Sequence, residues 1–254
     1  MIHLRYCLIA LSFLALSLSL SAQQSIRDSA ITITTFRVTL GFYLPGGDIA
    51  DRFGPNFTTG GEFYVKTRKN FLIGAEGNFL FGNTVKNEEE VLGPLLTDKG
   101  WVIDQYGSPA DVFLYERGFS VLLKLGKIVP LFGPNPNSGL QFSLGGGYLQ
   151  HKIRIENIEG TVPQLLGDYK KGYDKLSGGF ALSEFVGYIH YGNNRRINFF
   201  AGIELQQAWT SPMRPYDFNL MKKDTSGTLV LLYGIKAGWM IPFYRKSSAG
   251  YYYY

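Results

Sequence analysis

Nine charged side chains stand out because they recur on one side of alternating stretches: Arg37, Glu62, Lys66, Glu76, Glu116, Lys124, Glu184, Glu204 and Lys236. Five are acids and four are bases, so in a shared interior they would neutralise one another almost completely. Isolated buried charges are costly, whereas paired and hydrogen-bonded ones are tolerable. The set therefore reads as an internal salt-bridge network. Reaction chemistry has little else to work with. The run Gly145-Gly146-Gly147 lies mid-strand with no helix after it, so a phosphate loop fails on context. His151 and His190 fall toward opposite ends of their strands and cannot share a site, and no serine and acid stand at a spacing that would activate either. Cys7 is the only cysteine, which leaves neither a disulfide nor a cysteine metal site in a chain that loses its N-terminus. No catalytic residue, metal or cofactor is expected, and no interleaving of bases and aromatics suggests nucleic acid.

The elements that must position these charges are strands. Period-two alternation, with glycine and aromatic residues in place of helical stripes, predicts eight of them: Ile31–Leu44, Thr59–Thr67, Phe71–Phe81, Asp111–Lys127, Leu140–Ile155, Gly178–Tyr191, Ile197–Trp209 and Thr228–Phe243. Connections alternate between longer and shorter, with tight turns at Arg68-Lys69-Asn70 and at residues 192–196 and long polar loops at residues 82–110, 156–177 and 210–227. This is the asymmetry of outer-membrane barrels, short periplasmic turns at one end and long outer loops at the other. An even strand count places both termini on the periplasmic side.

Polarity sets the direction of the barrel wall. Leu229, Leu231, Tyr233, Ile235, Ala237, Trp239, Ile241 and Phe243 share one face of the last strand, and Ile197, Phe199, Ala201, Ile203 and Leu205 one face of the seventh. A soluble carrier would turn such faces inward, while a membrane barrel turns them to lipid and keeps the charges inside. The expectation is an all-β, eight-stranded antiparallel transmembrane β-barrel over residues 31–243, its lumen filled by side chains and without an open pore. Strict alternation sends Arg117 outward, beyond the lipid band or at a bulge. No later stretch is apolar enough for a transmembrane helix.

The first 22 residues read as a signal peptide: Arg5, an apolar stretch from Leu8 to Leu20, and small residues up to Ala22. Residues 23–30 then form a short periplasmic segment and 244–254 a periplasmic tail. Two features suit partner docking, the stiff turn containing Pro134, Asn135, Pro136 and Asn137, and the terminal Tyr251, Tyr252, Tyr253 and Tyr254. Each has a plainer reading, a structural turn for the first and an assembly signal for the second. Lys170-Lys171 and Lys222-Lys223 are either solvated or placed against lipopolysaccharide phosphates.

Several segments resemble small outer-membrane barrels of Bacteroidota: residues 45–54 (PGGDIADRFG), 132–139 (FGPNPNSG), 147–155 (GYLQHKIRI) and 193–202 (NNRRINFFAG), with the tyrosine-rich end. The likeness is to the PorG-type barrel of the type IX secretion system. It implies an outer-membrane component that contacts outer-membrane lipids and periplasmic or lipoprotein subunits of an envelope complex, with a role in secretion or gliding and no catalytic residues. Two other functions fit a barrel of this size: a surface adhesin acting through its long outer loops, and a rim lipid-modifying enzyme, for which His151 would have to serve.

Overall fold

The computed structural model describes residues 26–244. Eight strands, β1 (Ile33–Gly47), β2 (Asn56–Lys66), β3 (Phe71–Gly82), β4 (Val112–Val129), β5 (Gly139–Asn157), β6 (Ser177–Tyr191), β7 (Asn198–Pro212) and β8 (Thr228–Tyr244), pair in sequence order, and β8 returns to β1 to close the ring. Every pairing is antiparallel. The expected strands match these to within three residues; the largest departures are that β2 begins earlier, at Asn56, and that β1 and β7 run on to Gly47 and Pro212. The expected signal peptide (residues 1–22), residues 23–25 and residues 245–254 with the terminal tyrosines lie outside the described residues. No helix among the described residues is long and apolar enough to cross a membrane, which says nothing of strands.

Stagger is set by register. From Arg37, successive cross-strand partners are Glu62, Glu76, Leu122, Gly147, Ala181, Ala208 and Val230, and Val230 pairs with Gly47. One circuit thus climbs from residue 37 to 47, a shear of 47 − 37 = 10. With eight strands this corresponds to a tilt of about 40°. A slip of one residue in any ladder would exchange the inward and outward sets of that strand.

The short turns, residues 67–70, 130–138 and 192–197, lie at one end. Residues 48–55, 83–111, 158–176 and 213–227 lie at the other. Asn70 and Arg195 take positive φ (both 61°) to close the tightest turns, a conformation asparagine accepts at little cost. The long loops were expected to be polar excursions. Instead they fold over the barrel mouth as a crown, which includes a single-turn helix, α1 (Glu89–Leu92). Ile49, Phe53, Val91, Leu92, Val102, Val162, Leu165 and Tyr173 bury their side chains in it, continuous with Leu80, Leu114, Leu149 and Ile153 of the upper lumen. Apolar residues scattered through a loop show no period, so this core was not legible as such.

Outside, the wall is apolar. Val38, Leu40, Ile73, Val121, Leu123, Leu125, Leu144, Val186, Ile203 and Ile235 are all exposed. Aromatic rows flank this aliphatic band: Phe57, Phe79, Phe119, Phe180 and Trp209 toward the crown, and Phe36, Phe63, Phe142, Phe199 and Trp239 toward the short turns. Exposed aliphatic side chains in a band between aromatic girdles are what a bilayer-spanning barrel presents to lipid.

Candidate functional site

The lumen is built in layers. Toward the short turns, Ile26, Ile31, Ile33, Tyr64, Leu72, Ile128, Phe185, Ile189, Tyr191, Phe200 and Met240 form an apolar floor. Above it, Arg37 of β1, Glu62 of β2, Glu76 of β3, Lys124 of β4, Glu204 of β7 and Lys236 of β8 meet around the axis, all fully or almost fully buried. Lys236 Nζ lies 2.5 Å from Glu62, 2.5 Å from Glu76 and 3.4 Å from Glu204. Lys124 Nζ pairs with Glu204 at 2.5 Å and also with Glu76. Arg37 donates to Glu62 at 3.2 Å and lays its guanidinium over Tyr64 and Phe200, 4.4 and 4.7 Å from the ring centres. Three acids balance three bases, so the centre carries no net charge.

Neutral groups add hydrogen bonds to Glu204 and Glu76. Tyr43 Oη donates to Glu204 at 2.5 Å, Ser183 Oγ at 2.8 Å and Gln206 Nε2 at 3.0 Å. Asn78 donates to Glu76 and accepts from Thr39 Oγ1 at 2.9 Å. Satisfaction is dense around Glu204, whereas Arg37 Nε and Nη2 find no hydrogen-bond partner among the described residues and are covered only by the Tyr64 and Phe200 rings.

Two other members of the anticipated set line the lumen away from this centre. Lys66, at the short-turn end, donates to Ile31 O at 3.0 Å and to Asn137 Oδ1 at 2.8 Å and pairs with no acid among the described residues. Glu116, toward the crown, accepts from Asn56 Nδ2 at 3.1 Å. Glu184 corrects the expectation: it is exposed on the outer wall, and the inward side chains on either side of it in β6 are Ser183 and Phe185. Both faces of this strand carry apolar residues, so alternation alone does not decide its direction. Phe185 is drawn inward by its edge-on contact with Phe200 in the floor, 5.8 Å between ring centres. Arg117 is outward as expected, held by Gly82 O and its own Glu116 O at the crown end of β4.

Asn135 and Asn137 also turn out differently. Neither is free for a partner, because both are buried and bind the chain itself. Asn137 accepts from Ile31 N at 2.9 Å and donates to Ile26 O and Ser29 O at 3.0 Å each. Asn135 donates to Tyr191 O at 2.6 Å, and Asn70 Nδ2 donates to Pro136 O at 3.0 Å. These bonds fold residues 26–31 across the short-turn mouth and seal it. What the turn leaves exposed is Pro130, Leu131, Phe132, Gly133 and Pro134. Phe132 is 88% exposed with φ at 60°; its carbonyl accepts from Tyr188 Oη at 2.9 Å. A phenylalanine in the left-handed region costs about 1–2 kcal/mol, and the locked turn holds it there.

His151 is buried under the crown, edge-on to Phe53, and neither ring nitrogen has a hydrogen-bond partner among the described residues. No serine or carboxylate among the described residues engages it as a catalytic pair would require. Among the described residues no group of histidine, cysteine or acidic side chains could hold a metal ion. The crown has its own ion pairs, Lys175 with Asp217 at 2.5 Å and Arg214 with Asp174. The hydrogen bond to Asp174 holds the Arg214 guanidinium above its usual range. Burial pushes the Asp224 carboxyl up, but bonds from the Ser226 amide (2.9 Å) and hydroxyl (2.7 Å) bring it below the usual carboxylate range.

No protein-family model matches the chain, and no curated protein does. Solved structures that resemble it are small outer-membrane barrels. The attachment invasion locus protein Ail of Yersinia pestis, in complex with the heparin analogue sucrose octasulfate, is 11% identical, with 83% of this chain and 99% of that one covered and a TM-score of 0.38. The outer membrane protein OprG of Pseudomonas aeruginosa is 11% identical over 85% and 99%, with a TM-score of 0.35. The outer membrane protein AlkL in DMPC bilayers is 10% identical over 91% and 99%, with a TM-score of 0.33. At such distances it is the chain's own polarity, apolar outside and charged inside, that makes it a membrane barrel.

Several parts of this arrangement escaped sequence reasoning. Tyr43, Ser183 and Gln206 carry no signal of a shared carboxylate partner, which lies two strands, one strand and two residues away respectively. Asn137 looked like a turn residue and is the hub of a seal.

Proposed function

We propose that the chain is a sealed, non-catalytic outer-membrane barrel that anchors an envelope assembly through its short-turn face. A lumen closed by a charge network, an apolar floor and a crown offers no path for solute, so the function belongs to the surfaces. The observation that carries the reading is Phe132. A bare aromatic ring, fixed in a left-handed conformation between Pro130 and Pro134, suits insertion into a partner's apolar pocket, since rigid aromatic anchors bind with little loss of entropy. Leu131 and Pro134 extend the surface, and Tyr251 to Tyr254 are a second element for the same task. With the short turns periplasmic, the partner is a periplasmic or lipoprotein subunit, and the likeness to the Bacteroidota barrels suggests a secretion or gliding machine.

Affinity purification of the full chain from detergent-solubilised envelopes tests this. Phe132→Ser and removal of residues 250–254 should together strip the periplasmic subunits while the barrel stays folded. Unchanged co-purification would overturn the docking face.

A second reading rests on the crown, where Trp101, Tyr106, Tyr169 and Met221 are exposed at the opposite end. An adhesin would use them. Replacing these four with serine should then abolish surface attachment while the periplasmic subunits remain bound.

A further inference from the structure

Glu184 faces the wrong solvent. The outward residues of β6 are Phe180, Leu182, Glu184, Val186 and Tyr188. Phe180 stacks on Trp209 in the aromatic row near the crown, and Tyr188 stands beside His190 and Phe199 in the row near the short turns. Each outward step advances about 6–7 Å along a strand, so at a tilt of about 40° Glu184 lies about 10 Å from either row. This is the middle of the lipid-facing band, and Glu184 is the one charged side chain there among the described residues. Its ladder neighbours are Leu144 and Leu205, and it makes no hydrogen bond or ion pair among the described residues. One ladder step away, Gly146 faces outward beside Leu182. A β-carbon there would meet only Leu182 and Phe180, at 3.7 and 3.9 Å. The wall is therefore indented next to the carboxylate.

We propose that this stretch of the β5–β6 wall docks a membrane-embedded segment of a second polypeptide that brings a lysine or arginine to Glu184, with the shaft of that side chain lying in the Gly146 indentation. An ionisable group at mid-bilayer is expensive against acyl chains and persists where it meets a counter-charge. Charge complementarity selects the partner. A second copy of this chain does not supply it, because its outward bases lie at other depths. Lys127 stands over Phe71 near the short turns, and Arg117 is held at the crown end of β4. A two-fold contact on this wall would instead oppose Glu184 to Glu184. The surface is separate from the short-turn face and independent of it.

The test uses the full chain in phosphatidylcholine vesicles and, as probe, a labelled polyleucine transmembrane helix carrying one central lysine, alongside an all-leucine control. Energy transfer should report at least tenfold tighter association with the lysine helix than with the control. Glu184→Gln and Glu184→Leu should abolish the difference, and Gly146→Leu should reduce it. Glu184→Leu alone should also move the urea midpoint of the barrel upward, since no internal contact is lost. Equal binding of both helices, or full binding by Glu184→Gln, overturns the cation-pairing partner. Energy transfer between two labelled copies of the chain that depends on Glu184 overturns it in favour of self-association. A fall in the midpoint of Glu184→Leu overturns it by showing a structural role.

Discussion

Replacing Lys236 with methionine tests the charge network at its hub. Methionine keeps most of the shaft volume but leaves Glu62, Glu76 and Glu204 facing only Arg37 and Lys124, a buried excess of one negative charge. Contacts of 2.5, 2.5 and 3.4 Å are lost. Each is worth about 5–7 kcal/mol in gross Coulomb energy at an effective dielectric of about 20, but desolvation of the ammonium cancels much of this sum. Stranding one buried charge costs about 3–5 kcal/mol net. A second route limits the loss. The excess carboxylate can take up a proton, which from an ordinary value near 4.3 costs about 3.7 kcal/mol at pH 7. The two estimates agree on about 4 kcal/mol. Proton uptake also gives the deficit a sign with pH. It should shrink by about 1.4 kcal/mol for each unit of acidification and be mostly gone near pH 4.5. Adding Glu204→Gln to Lys236→Met restores the balance of charge, so the double variant should be about 1–3 kcal/mol more stable than the sum of the single effects. Urea titration of folding into lipid vesicles, followed by tryptophan fluorescence, measures all three. A cost under about 1 kcal/mol at neutral pH, no recovery on acidification, or strict additivity would refute the picture of a balanced, desolvated network.

Asn137→Ala removes the hub of the short-turn seal and should cost about 2–4 kcal/mol, with new proteolytic cleavage within residues 26–31; an uncleaved, equally stable variant would mean the seal is held by Ile26 and Ile31 alone. Phe132→Gly should raise stability by about 0.5–1 kcal/mol, relief of the left-handed strain exceeding the added chain entropy, as read from the urea midpoint, and should weaken partner binding at the same time. In the crown, the depressed Asp224 carboxyl contributes stability that is present above its unfolded value near 3.9 and lost as pH falls through its lower folded value. The protection factor of the Ser226 amide against hydrogen exchange, taken relative to the intrinsic rate at each pH, should therefore fall below about pH 4, and Asp224→Asn should flatten that dependence.

Strands and wall polarity were legible because period two is a local property. In β8 one face is entirely apolar and the other holds Lys236, so seventeen consecutive residues declare their own direction. The inward positions of Arg37, Glu62, Glu76, Glu116, Lys124, Glu204 and Lys236 follow from the same argument, strand by strand. Glu184 shows where it stops. Phe180, Leu182 and Val186 on one face of β6 are matched by Ala181 and Phe185 on the other, and a strand apolar on both sides takes its direction from its neighbours. Only the closed ladder, with Phe185 against Phe200, decides it.

What the residues determined by themselves was the all-β class, the strand count, the alternation of short and long connections, and an outside that is greasy where the inside is charged. Tertiary structure alone decided which of the charges touch, that the loops carry a core of their own, that Asn137 seals rather than presents, and that one glutamate is left against lipid. The division has a physical cause. Alternation along a strand is written in neighbouring side chains, whereas partners across a lumen are brought together by shear and closure, which depend on every ladder in the ring at once.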